Sequence, residues 1–381
     1  MAKRKELKLP PRPRILLVRF SALGDVVQTL PILPMLRERY PDAHIGWAID
    51  AELVPAIEGH QMLDRIHPCH RKRWIKAVKN PALWNSTLGE MRAFVDDVRS
   101  VNYDVALDLQ GLLKTALLTR FSGAARRIGF AHGREFSNFF YDEAYINRKD
   151  YFAHHVLHID HMAYLASVIG CEQGEHKLPL PPPTESTREK IDALMADNFS
   201  ATDAILAVAP GTQWQSKKWP DHHWIALVRR VLKETSLKIL FVGSPADAQL
   251  AAHIVSAVAA DTPPGRIVNV AGTTKIQELY YLFTKVQAAI ASDTAPLHIA
   301  GAAAVPHLFG LFGPTASKRT APIGSADIQI FTTEGSLRCQ PCHKRSCPLK
   351  TGECLESVYP DEVFNALVQA IPQVSTLLTA R

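Results

Sequence analysis

RFSALGDVVQTLPIL (residues 19–33) overlaps the end of a short apolar run, RILLVRF (14–20), and places Gly24-Asp25 where a strand hands over to a helix. A glycine there permits a tight turn. The first N–H groups of the helix are candidates to hold an anion, and Asp25 adds a carboxylate within reach. The stretch lacks G-x-G-x-x-G, so it is not a dinucleotide fingerprint. Asp25 reads in two ways, as a helix cap or as a base that accepts a proton from an attacking hydroxyl.

The strand–turn–helix unit recurs along the chain. AHIGWAI (43–49) is a second strand, followed by a short helix near 51–58. VNYDVALDLQG (101–111) is a strand ending at a polar corner, with KTALLTRFSG as the next helix. VVQTLPILPMLRERY reads as one helix whose start is blurred by Pro31 and Pro34. EQGEHKLPLPPPTESTREK then interrupts the alternation, being polar, rich in proline and poor in core residues. We expect an N-terminal domain over 1–178, an extended linker over 179–200 and a C-terminal domain over 201–381. The alternation restarts at AILAVAP (204–210) and runs through helices near 221–233, 245–260 and 275–284 to QAAIASDT and PHLFGLFGP. The fold class is α/β, with two Rossmann-like parallel-sheet domains facing across a cleft. Ligands of such sheets bind at the carboxyl ends of strands, and four polar corners lie there: 21–25, 108–111, 210–218 and 292–298.

The chain has 381 residues, is 47% hydrophobic and carries a formal charge of +6, enough core for two domains and a modest bias toward anionic partners. The longest apolar stretch, near PLHIAGAAAVPHLFGLFG, is broken by His298, Pro306, His307 and glycines, and does not read as a bilayer span. MAKRKELKLPPRPR reads as a solvated basic arm. The expected location is the cytoplasm, with peripheral contact to a membrane.

An insertion over 60–95 is strongly basic. From Arg65 to Lys79 it holds Arg65, Arg71, Lys72, Arg73, Lys76 and Lys79, with no acid. One reading is a solvated helix face. The other is a landing surface for an anionic acceptor, with Trp74 and Trp84 at an interface. No nucleic-acid recognition module is present, so nucleic acid is not an expected partner.

The remaining corners supply the rest of a site. In GTQWQSKKWP (211–220), Thr212 and Gln213 are hydrogen-bonding candidates, and Lys217 or Lys218 could neutralise a diphosphate. Ser292-Asp293-Thr294 ends a strand, and His298 lies one turn into the small-residue helix that follows. GLFGPTASKRTAP (310–322) contributes Thr315. An isolated Asp and His do not make a metal site, so polar contacts to a sugar or diphosphate are the preferred reading.

RCQPCHKRSCPLKTGECL spaces Cys339, Cys342, Cys347 and Cys354 as C-x2-C-x4-C-x6-C. Four soft ligands this close are candidates for structural zinc. Disulfides and unbridged thiols are the alternatives, and an iron–sulfur cluster also fits the ligand count. Separation in sequence from the polar corners argues against a catalytic role.

Taken together, RFSALGDVVQTLP, DLQGLLKTA, APGTQWQSKKWP, SDTAPLHIAGA and LFGPT resemble, in order along nearly the whole chain, the ADP-heptose:lipopolysaccharide heptosyltransferases. That family is glycosyltransferase family 9, with the GT-B fold. GREFSNFFYD (133–142), with Arg134, and KRWIKA (72–77) look more like its heptosyltransferase I branch than its heptosyltransferase II branch. The resemblance implies inverting transfer of L-glycero-D-manno-heptose from ADP-heptose to a Kdo hydroxyl of nascent lipopolysaccharide. It makes Asp25 the proposed base and Lys217, beside Thr212, a diphosphate contact. Asp293, Thr294 and His298 then contact diphosphate and heptose; the corners themselves add Ser21, Gly24, Gln213 and Thr315 as substrate-binding candidates, although Gln213 after Thr212 leaves the family's adjacent threonine pair incomplete. Arg71, Lys72, Arg73, Lys76 and Arg134 become acceptor-surface candidates. The family's Asp-Thr-Gly reads Asp-Thr-Ala here, with Ala295 at the third position. No cofactor is required for the implied reaction. Its partners are ADP-heptose, a Kdo-lipid A-type anionic acceptor and the cytoplasmic face of the inner membrane. The alternatives are a heptosyltransferase II or other core-sugar transferase, and a nucleotide-sugar-binding protein without catalysis.

Overall fold

The computed structural model describes residues 7–145, 156–174 and 176–372. Residues 1–6 of the basic N-terminal arm lie outside the described residues. The chain divides into two compact units, Met1–Pro182 and Pro183–Arg381.

The first unit is built on strands β1 (Arg14–Val18), β2 (His44–Asp50), β3 (Arg65–Cys69), β4 (Val105–Asp108), β5 (Arg126–Phe130) and β6 (Glu143–Tyr145). They form one sheet in the order β3-β2-β1-β4-β5-β6, and every pairing is parallel. The second unit repeats the plan with β7 (Ile205–Ala209), β8 (Lys238–Phe241), β9 (Ile267–Asn269), β10 (Ala288–Ser292), β11 (His307–Phe312) and β12 (Asp327–Thr332). Read from its other edge, that sheet runs β9-β8-β7-β10-β11-β12, again wholly parallel. The central strands are near-continuous apolar runs because both faces are covered: ILLV of β1, ILAVA of β7 and AAIAS of β10 are buried throughout.

The shared strand order decides where function can sit. Connections leave β1 and β4 toward opposite sides, as do those from β7 and β10, so each sheet opens a crevice at the carboxyl ends of its central pair. All four polar corners follow those four strands. SALGD comes after β1 and LQG after β4, GTQWQSK after β7 and DT after β10.

Two expectations are corrected. The helix read through VVQTLPILPMLRERY is two helices, Leu23–Thr29 and Ile32–Arg39, broken at Pro31, which has no N–H to continue the first. The expected linker over 179–200 is largely a helix, Glu185–Asn198, of the second unit. Thr184 caps it by accepting the Thr187 N–H at 3.2 Å, and Ile191 is buried. Lys190 ties it to Glu278 at 2.8 Å.

The second core shows how one aromatic anchor sets a functional loop. Trp219 and Trp224 meet edge to face with centroids 4.7 Å apart, and the Trp219 indole donates to the Val358 carbonyl at 2.9 Å. With Trp219 fully buried, the residues before it are held in register.

Candidate active site

In the second unit, the loop after β7 turns Lys217 inward and leaves Lys218 exposed. This separates two lysines that spacing alone left equivalent. Lys217 Nζ donates to Asp293 Oδ2 at 2.6 Å and to the Asp293 carbonyl at 2.9 Å. The Thr315 hydroxyl donates to the same Oδ2 at 2.5 Å, and His298 Nε2 lies 3.6 Å from Oδ1. Asp293 is buried. Desolvation alone would raise its pKa, but the Lys217 charge and the His298 contact outweigh burial and hold it well below the usual carboxylate range. Lys217, Asp293 and Thr315, from the loops after β7, β10 and β11, and His298, from helix Ala295–Ala302, therefore form one charged cluster. Thr294 stands beside it, its hydroxyl on the Ser292 carbonyl at 3.2 Å. Thr212 accepts the Trp214 N–H at 3.3 Å, and Gln213 is exposed. Gly211 is required by space, since a Cβ there would lie 1.9 Å from Asp247 Oδ1.

In the first unit, Asp25 lies in the first turn of helix Leu23–Thr29. Its Oδ2 accepts the Ala22 N–H at 3.0 Å and lies 3.2 Å from Arg19 Nη2. It is thus a cap as well as a half-exposed carboxylate, and the Ala22 N–H is engaged by this chain rather than turned to a ligand. Arg19 is buried beneath it and also contacts the Leu109 carbonyl, His158 and Met162. Lys114 donates to the Ser21 hydroxyl at 3.2 Å. Burial, and then the nearby Arg71 charge, push its ammonium below its ordinary value. Gly24 lies in the same first turn, half-buried.

DLQG is the brace for this corner. Asp108 is wholly buried and accepts the Gln110 and Gly111 N–H groups at 2.9 Å each and the Tyr141 hydroxyl at 2.8 Å. Burial raises its pKa despite these donors. Gln110 Oε1 in turn accepts the Phe20 N–H at 2.9 Å, fixing the residue next to Ser21. Arg134 hydrogen-bonds to Gly111 through its backbone N–H, with its side chain exposed. Beside it Phe136 and Phe139 are exposed, their rings stacked at 6.3 Å.

The basic insertion divides in structure. Arg71 faces inward, forked onto the buried Asp50 at 2.6 and 3.1 Å. It is therefore a structural ion pair rather than free acceptor surface. Arg73 pairs with Glu90 at 2.6 Å, while Lys72 approaches Glu52 only to 3.9 Å and Lys76 is exposed. Part of the stretch is strand β3, where Arg65 and His67 both meet Asp97.

The six cysteines are all unbridged. Among the described residues, His222, His223 and Glu356 bring three ligand atoms within 4.8 Å of one another, a group able to hold a metal ion. The four clustered cysteines do not converge in that way but ring a small cavity. No helix of the described residues is long and apolar enough to cross a membrane.

Sequence reasoning missed Arg19, Lys114 as the Ser21 partner, and Trp219 as the anchor of Lys217. The signal for Arg19 was a lone charge directly after an apolar strand, where an unpaired guanidinium would not be tolerated.

Comparison with known proteins agrees with this geometry. Residues 91–352 match the model of glycosyltransferase family 9 (heptosyltransferase). The chain is 28% identical over 349 residues to lipopolysaccharide heptosyltransferase 1 of Pseudomonas aeruginosa, covering 89% of each. It superposes on Escherichia coli ADP-heptose lps heptosyltransferase II with a TM-score of 0.71 and 20% identity, over 94% of this chain and 99% of that one. For E. coli heptosyltransferase WaaC with ADP-2-deoxy-2-fluoro heptose, the TM-score is 0.67 at 20% identity, over 93% and 99%. With two parallel-sheet domains of the GT-B type and a family match across most of its length, the chain belongs to glycosyltransferase family 9, the heptosyltransferases, and is an enzyme of sugar transfer.

Proposed function

We propose that the protein is an inverting heptosyltransferase that moves L-glycero-D-manno-heptose from ADP-heptose onto a Kdo hydroxyl of nascent lipopolysaccharide inner core. The observation that carries this reading is the Lys217–Asp293–His298–Thr315 cluster at the carboxyl end of β7, β10 and β11. It supplies a fixed cation and polar groups, as a departing diphosphate requires. In the reaction the heptose C1–O bond to the diphosphate breaks, and ADP leaves with the electron pair. The Kdo oxygen forms the new bond to C1, and its proton passes to Asp25. Arg19 holds Asp25 in place for that role. Ser21, Gly24, Thr212, Gln213 and Thr294 line the substrate positions. No cofactor takes part.

The acceptor side includes a lipid surface at the cytoplasmic face of the inner membrane. Helix Arg71–Ala77, the turn that follows it and helix Trp84–Ser100 expose Ile75, Val78, Trp84, Leu88 and Met91 along with Lys72, Lys76, Lys79 and Arg92. Trp84, Leu88 and Met91 follow i, i+4, i+7 spacing on one helix face. Exposed apolar groups flanked by cations suit an anionic lipid interface. The relative from P. aeruginosa is a lipopolysaccharide heptosyltransferase 1, which supports the heptosyltransferase I branch and, with the resemblance, Kdo as the acceptor.

The test is incubation with ADP-heptose and Kdo-lipid A, following ADP release and acceptor mass together. One heptose added, and lost in Asp25→Ala, is the expected result. Transfer only onto heptosylated core would move the assignment to the second-heptose branch, and silence on both would sink it.

A further inference from the structure

Helix Asp221–Glu234 opens with two consecutive histidines that play no part in the site described above. They follow the Lys217 loop directly, since Trp219 and Pro220 lead into the helix. The short helix Glu353–Glu356 brings Glu356 to the same place from far along the chain. His222, His223 and Glu356 each offer one ligand atom, and the three atoms lie within 4.8 Å of one another.

The spacing inside this group is informative. His222 Nε2 stands 3.4 Å from Glu356 Oε1. A charge-assisted hydrogen bond draws its partners to about 2.7–2.9 Å. Two ligands of one tetrahedral zinc, each about 2.0–2.2 Å from the ion, stand about 3.4 Å apart. The observed separation is thus that of ligands sharing an ion. With His222 and Glu356 more than half exposed, rotation of their side chains closes the remaining gap to His223.

His223 supplies a second, independent observation. It is only 7% exposed, and its Nδ1 is buried with no hydrogen-bond partner among the described residues. A buried polar atom in that state calls for a partner that the protein alone does not supply. Its ring is held by Trp219 at 5.3 Å, edge to face, and lies 6.3 Å from Tyr359. One ligand is therefore fixed in an aromatic wall, while the other two face solvent, where an ion can enter and keep bound water. Two imidazoles and a carboxylate suit zinc, cobalt, nickel or copper rather than calcium or magnesium, which prefer oxygen throughout. The first turn of a helix disfavours a cation, which sets the affinity at moderate rather than tight.

We propose that His222, His223 and Glu356 bind a divalent transition-metal ion, zinc foremost, and that the ion clasps the start of helix Asp221–Glu234 to the segment carrying Glu356. The clasp lies across the Trp219 anchor, whose indole donates to the Val358 carbonyl two residues past Glu356. Structural zinc was expected at the cysteines, and the converging ligands are here instead. The ion touches no reacting atom, and the site stands on these three residues whether or not the transfer reaction proposed above is correct.

The test is titration of the full-length protein, freed of any histidine tag, with zinc chloride by calorimetry and with cobalt chloride by absorption. His222→Ala and Glu356→Gln alter exposed side chains, so both variants should fold. Each should weaken one class of metal binding about tenfold or more. The cobalt spectrum of wild type minus that of His222→Ala should show visible d–d bands and no sulfur-to-cobalt band, which marks nitrogen and oxygen ligands. A wild-type Kd weaker than about 1 mM, or variants that bind as wild type does, would overturn the site. A sulfur band in the difference spectrum would overturn it too, by assigning the ion to the cysteines. Clasping predicts that saturating zinc raises the unfolding midpoint of wild type by a few degrees and leaves that of His222→Ala in place. Equal shifts, or none, would overturn the clasp. Zinc binding as expected in a protein that transfers no heptose would sink the proposed function and leave the metal site standing.

Discussion

The guanidinium of Arg19, buried under β1, lies 3.2 Å from the half-exposed carboxylate of Asp25. A carboxylate beside a buried cation is held in one orientation by that contact. The arrangement suits a base that must be in position before the acceptor arrives. Asp25→Asn preserves the acceptor for the Ala22 N–H and removes the charge. We expect kcat to fall about 100-fold or more, with the KM for ADP-heptose little changed. Steady-state kinetics of the purified variant decide this, and a kcat within about threefold of wild type would remove Asp25 from the base role.

Lys217 and Asp293 form the tightest buried ion pair of the second unit's site. Removing the cation strands a buried carboxylate, so Lys217→Met should destabilise the second unit by about 3 kcal/mol, and adding Asp293→Asn should restore part of the loss. Denaturant melts of the two variants read this directly. A single-variant loss below about 0.5 kcal/mol would mean that the pair contributes little to stability.

His60 gives the fold a pH dependence. Its Nδ1 accepts the Met62 N–H at 3.1 Å while its Nε2 faces the Pro179 carbonyl at 2.8 Å. One donor and one acceptor describe a neutral ring. Burial lowers its pKa, as it does for His67 and His223. Since the folded pKa lies below the unfolded value near about 6.5, the unfolded chain binds more protons in that window. Stability is then full above about pH 6.5 and declines as pH falls toward the folded values. Denaturation at pH 7.5 and 5.5 should show the decline, with a shallower slope in His60→Gln.

The apolar face of the 71–100 region is a lipid contact in our reading. Trp84→Glu combined with Leu88→Glu should weaken binding to anionic vesicles more than about tenfold. Both side chains are half exposed, at 52% and 51%, so the melting temperature should hardly move. Vesicle cosedimentation at two lipid charges checks the point. Equal binding by wild type and variant would place the membrane contact elsewhere.

Much of this site was legible from spacing alone, because strand ends of a parallel sheet are marked by a switch from apolar runs to Gly, Asp and Thr. The corners after β1, β4, β7 and β10 were read in that way. Direction was not legible: Lys217 and Lys218 are equivalent until the burial of Trp219 fixes which one turns inward. Nor was pairing, since Arg71 looks like free cationic surface until Asp50 is placed beneath it. The helix Glu185–Asn198 was hidden by the prolines before it, which suppress apolar periodicity just where Thr184 begins the cap.

The two sheets share one strand order but own separate cores, and this bears on what a melting curve of the protein means. Each core can lose cooperativity on its own, so one unfolding free energy for the whole chain is not a defined quantity. Damage at Lys217 should shift one transition and leave the other in place, and saturating ADP-heptose should raise only the transition of the sheet that holds it.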